Sequence, residues 1–169
     1  MSAAGYTWED MPRPLRVLAG WLTAVQVVGY TTSLVFVWWT TRLVPSGITN
    51  HYRGSDPAVT EWAMQFSKSF AEMLTITHTH LLGIALIFAV SGGCVALCGS
   101  LSERTRRLLI AEPFAALLIS FGAMWLMRYA DHRFAWLLEA SSLLMAATFY
   151  VQSALVVREL RSVRREEAR

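Results

Sequence analysis

Charge is scarce in this chain: 16% of its 169 residues are Asp, Glu, Lys or Arg, against 54% hydrophobic, with a mean hydropathy of +0.40. That balance excludes an ordinary soluble domain, in which about a quarter of residues are charged, and indicates an integral membrane protein. Lysine is nearly missing, one residue against fourteen arginines, a bias expected of a GC-rich bacterial genome. Cysteine is limited to Cys94 and Cys98. Without a Cys-x-x-Cys-His segment there is no covalent c-type haem, and without paired Cys-x-x-Cys or His-Glu-x-x-His there is no compact zinc motif. A Walker loop, a nucleophile elbow and a dinucleotide glycine fingerprint are also missing, which argues against a self-contained enzyme for soluble substrates. Inverted halves with broken helices, the mark of many secondary transporters, do not occur. Nor do repeats or low-complexity tracts.

What is present is apolar length. A hydrocarbon core about 30 Å thick needs roughly 20 mainly apolar residues per helix. Four stretches meet that test, at 15–41, 73–98, 108–127 and 134–157. The first runs too long for a signal-peptide core and lacks a small-residue cleavage site, so it is expected to remain as a helix. Short links at 99–107 and 128–133 force antiparallel neighbours. The expected fold is an all-α, four-helix transmembrane up-down bundle in a single domain over 1–169.

Ten of the fifteen positive residues fall at the N-terminus (Arg13, Arg16), in the link 99–107 and in the tail 158–169. Positively charged loops stay cytoplasmic, so both termini are expected in the cytoplasm, with the loop 42–72 in the periplasm of a bacterial inner membrane. Positives placed beside membrane ends set topology and meet anionic lipid heads, and do not indicate nucleic-acid binding. Cys94 and Cys98 then lie at the reducing cytoplasmic end and read as small structural residues. Ser91, Gly92 and Gly93 read as a close helix contact, and Gln26 and Gln152 as interhelical hydrogen bonds. Glu112 reads as a carboxylate that snorkels or bonds a neighbour, beside a helix bend at Pro113.

In the loop, 45–54 reads as an irregular, glycine-bounded stretch carrying His51, Tyr52 and Arg53. After it, Asp56-Pro57 resembles a helix start, and Val59, Trp62, Ala63, Phe66, Phe70 and Met73 follow at helical spacing. An amphipathic helix lying in the membrane interface, placed to act as a lid, is expected there.

The four histidines carry the functional reading. His51 and His132 fall in outer links, and His78 and His80 lie one to two turns inside the second span, so all four approach the periplasmic face. Ionisable residues in a span are costly and mark sites. His78 and His80 stand about 200° apart on a helix, which suits one ligand and one supporting residue, with Thr77, Thr79 or Glu72 as the second acceptor. Glu139 lies about 10 Å below the outer link on the face of His132, as a candidate proton carrier.

Three chemistries fit these residues. Haem b takes His78 and His132 as axial ligands, with His80 or His51 as substitutes, Gly83 and Gly122 leaving room, and Arg53, Arg128 or Arg133 meeting the propionates. Copper or zinc takes His51, His78 or His80, and His132, with Asp131 or Met127. A quinone site uses histidine and Glu139 beside Trp38, Trp39, Trp125 and Trp136, although these tryptophans also read as an ordinary aromatic belt. The expected function is therefore a small redox or electron-transfer subunit that passes electrons between the quinone pool and a periplasmic carrier, beside other membrane subunits. The opposing expectation is a cofactor-free structural accessory subunit of a respiratory or other membrane complex, its histidines merely bonded to carbonyls.

Overall fold

In a computed structural model describing residues 5–55 and 65–168, the chain forms α1 (Arg13–Thr41), α2 (Pro45–Arg53), α3 (Phe70–Ala96), α4 (Glu103–Tyr129) and α5 (Phe134–Glu166). All but α2 are long and apolar enough to cross a membrane. The architecture is all-helical, with no strand among the described residues. At α3 and α4 the helices begin ahead of the apolar stretches, at starts capped by side chains. Ser69 and Glu72 close a reciprocal capping box at α3, and the Ser102 hydroxyl accepts the Thr105 N–H at 3.2 Å at α4. At the other end, Arg158 to Glu166 extend α5 as a charged helix.

The antiparallel pair α4–α5 forms the centre, α3 packs on α4, and α1 lies against α5 at the periphery. Only Ala19, Thr23, Tyr30 and Thr41 of α1 are buried. The middle of the bundle is aromatic. Tyr30 stacks on Phe149 at 4.2 Å between centroids, and Phe88 meets Phe149 edge-on at 6.2 Å.

Pro113 has a structural consequence beyond a bend. Lacking an N–H, it leaves the Leu109 carbonyl without its helical donor. The Gln152 amide of α5, 0% exposed, fills that vacancy with a 2.7 Å bond to Leu109 O, while its oxygen accepts the Ser91 hydroxyl of α3 at 2.7 Å. Three helices are thus tied at one level, and the expected interhelical role of Gln152 is observed. Gln26 reaches Ile87 O only at 3.5 Å. Gly92 is buried, but a methyl group there would make only ordinary contacts with Ile110, and Gly93 faces open space.

Both termini lie at one end of the bundle. The indole of Trp8 is buried and donates to Cys94 O at 3.1 Å, its backbone N–H bonds Leu97 O, and Arg16 pairs with Glu167. Cys94 and Cys98 are free thiols packed within this cluster.

At the other end two expectations are corrected. The stretch 45–54 is not irregular: Pro45 stands in the first turn of a helix whose Ile48 and Tyr52, one turn apart, pack on Met127 and Ala135. Tertiary burial of these two side chains outweighs a polar, glycine-containing sequence. Nor does a helix run through Phe66 into the second span. Residues 65–69 are non-helical, held by Ser55 N–H to Gln65 O at 2.9 Å and Lys68 N–H to Tyr52 O at 2.9 Å, and α3 starts afresh at its capping box. The expected start at Asp56 and the positions Val59, Trp62 and Ala63 lie outside the described residues.

Gly47 permits the α1–α2 corner. A Cβ there would stand 1.9 Å from Thr41 O, closer than any real contact. Gly47→Ala is therefore expected to displace α2 and cost about 2 kcal/mol or more, within the range for overpacking. Accelerated proteolysis in the loop, with the spans still inserted, would register the displacement; wild-type cleavage kinetics would refute it.

Candidate functional site

The end opposite the termini gathers the loop, α2, the start of α3 and the α4–α5 turn, and all four histidines belong to it. They do not share one environment. His51 is half-buried in α2, edge-on to Tyr52 at 4.9 Å. Burial, and then the Lys68 ammonium, push its imidazole below the usual pKa, with the Gln65 side chain pulling the other way. His132 sits on the turn with its side chain 69% exposed, Nδ1 3.3 Å from Asp131 Oδ1. The Arg133 N–H, bonded to the same oxygen at 2.8 Å, holds the Asp131 carboxyl below its ordinary range.

His78 and His80 are exposed, on the outer wall of α3 rather than in the bundle interior. The face α3 turns inward is instead Met73, Phe88, Ser91, Gly92 and Val95. His80 Nδ1 lies 2.9 Å from Ile76 O, one turn back in its own helix. With Nδ1 as the donor, Nε2 carries a free lone pair. Thr77 and Glu72 already have other partners. Thr77 accepts the Trp125 indole N–H at 2.9 Å, and Glu72 is held in the capping box. Among the described residues, no three of His, Cys, Asp and Glu converge as a metal-ion group.

Two of the arginines are occupied by backbone. Arg53 donates to Met127 O at 3.0 Å, satisfying a carbonyl of the last turn of α4. Arg128 holds Lys68 O through Nε at 2.9 Å and lies over the Tyr129 ring. Arg133 is exposed beside Asp131. Trp38, Trp39 and Trp136 point outward, the Arg42 guanidinium lying 5.4 Å from both neighbouring indoles, as in an aromatic belt. Trp125 instead stacks on Tyr129 and reaches Thr77.

The carboxyls differ from expectation in one respect. Glu139 Oε2 is buried without a hydrogen-bond partner, five residues into α5. Glu112 neither snorkels nor bonds a neighbour: both its oxygens are buried and unpartnered. The sequence shows Glu112 inside an apolar run, but only the rotation of α4 turns it from the surface.

No curated protein and no solved structure matches the chain. The family Aq_1264_TM, described as a transmembrane helical domain, matches residues 42–167, which span α2 to α5 and leave α1 outside. Four long apolar helices and a match over most of the length agree, and the chain belongs to this family of transmembrane helical domains.

Proposed function

We propose that the chain is a small subunit of a larger complex in a bacterial inner membrane, docked on its partner through the outer face of α3. The reading rests on His78, Thr79 and His80, which stand on the outside of the bundle two to three turns below the start of α3. Ionisable side chains at membrane depth seldom face lipid and ordinarily meet protein or a watery cavity. On the same helix, Gly83 and Gly93 have open space where a Cβ would stand. Exposed glycines cost helix stability, and in membranes they let a second helix approach closely. The termini end, rich in arginine, faces the cytoplasm by the positive-inside rule.

The free Nε2 of His80 favours a second reading, in which the interface is also a redox site. An imidazole fixed at Nδ1 by a carbonyl is oriented as ligating histidines are. A haem b, or copper or zinc, would then be completed by a residue of the partner, with electrons passing between quinol and a periplasmic carrier and Glu139 holding protons nearby.

Native gel electrophoresis of the protein extracted from its own membranes in mild detergent tests the first reading. The wild type is expected well above the 18.9 kDa of one chain. Gly83→Leu/Gly93→Leu should collapse it to a monomer, because a Cβ at either position meets nothing of the chain within 4 Å and the added bulk stands in the way of an outside helix. A wild type migrating as a monomer would overturn the reading. A dithionite-reduced minus oxidised spectrum of the same complex separates the second, which requires haem b bands or bound metal that His80→Leu removes.

A further inference from the structure

We propose that the termini end of α5 holds a binding site for an anionic phospholipid. At 33 residues α5 is about 50 Å long, some 20 Å more than a hydrocarbon core, so its last turns stand clear of the membrane. Where it emerges, Ala154, Val157, Arg158, Arg161, Ser162 and Arg165 line a shallow, open surface depression along α5. Their spacing of three and four puts them on one face, which continues toward the membrane centre through the exposed Ala147 and Val151. One surface therefore changes from apolar to cationic along its length, at the depth where a lipid changes from acyl chain to phosphate.

The charge on this face is not neutralised from within. Glu159 accepts from the Ser100 N–H and hydroxyl, and Glu167 pairs with Arg16. Arg158 reaches only the Ser100 hydroxyl, at 3.3 Å, and among the described residues Arg161 and Arg165 meet no carboxylate. Guanidinium groups at successive turns fork onto phosphate oxygens more readily than onto water. Ser162 adds selectivity. Its hydroxyl already donates to Glu159 O at 2.8 Å, so it can only accept, and it suits a headgroup that offers a hydroxyl, as phosphatidylglycerol does.

The full chain in detergent, equilibrated with equal phosphatidylglycerol and phosphatidylcholine, tests this by native mass spectrometry of retained lipid. Retention is expected to favour phosphatidylglycerol. Arg161→Gln/Arg165→Gln should weaken it roughly 30-fold, two surface arginines at about 1 kcal/mol each. Both side chains stand outside the bundle core, so an unchanged melting temperature without added lipid confirms folding. Equal retention of the two lipids by the wild type would overturn the proposal. So would a preference that survives the double variant and is lost instead in Arg104→Gln.

Discussion

Phe149→Ala is expected to lower the unfolding free energy of the bundle by about 3–5 kcal/mol, the range for truncating a large buried aromatic. Phe149 is fully buried and is the ring on which three helices meet, stacked on Tyr30 of α1 and edge-on to Phe88 of α3. Lipid tails are as apolar as phenylalanine, so little of the loss is transfer free energy. It comes from dispersion contacts that no neighbour can replace once the ring is gone. Because Tyr30 is the largest of the four buried side chains of α1, that helix should loosen first. Reversible unfolding in mixed detergent measures the effect, with Phe149→Leu, expected at under about 1.5 kcal/mol, as the conservative control. A stability within 0.5 kcal/mol of wild type, roughly the effect of a neutral surface change, would show that α1 is not seated through this ring.

Gln152→Leu should cost about 2 kcal/mol, because it strips donors and acceptors from groups that cannot reach water. The Leu109 carbonyl loses the Gln152 donor that stands in for the N–H Pro113 lacks, and the Ser91 hydroxyl keeps a 3.5 Å contact with Phe88 O. The cause can be isolated. In Pro113→Ala the new backbone N–H can bond Leu109 O directly, so Gln152→Leu in that background should cost less than half as much. Equal costs in both backgrounds would show that the glutamine does not replace the proline's missing donor.

The spans were legible because about 20 apolar residues in a row have few other uses. Their ends were less so. Hydropathy places the third span at 108–127, whereas α4 begins at Glu103, where Ser102 caps it and Glu103 pairs with Arg106 and Arg107 across a single turn. The helix α2 was illegible because its pattern is polar and carries Gly47. Its helicity follows from docking Ile48 and Tyr52, and from a corner only glycine can fill. The histidines were legible as a set at one end, but not as a site, since a 100° step per residue leaves the rotation of each helix undetermined until its partner is known.

By itself the sequence determined the number of spans, their antiparallel order, the arginine-rich end and the end that receives the histidines, because each follows from length, composition and connectivity. Tertiary structure alone decided which side chains look inward. Packing of Phe88 and Val95 turns His78 and His80 to the outside, and packing of α4 buries Glu112 without a partner. The missing N–H of Pro113 on one helix becomes the reason for Gln152 on another. These are relations between helices, set by the fit of one surface to the next, and no single segment contains them.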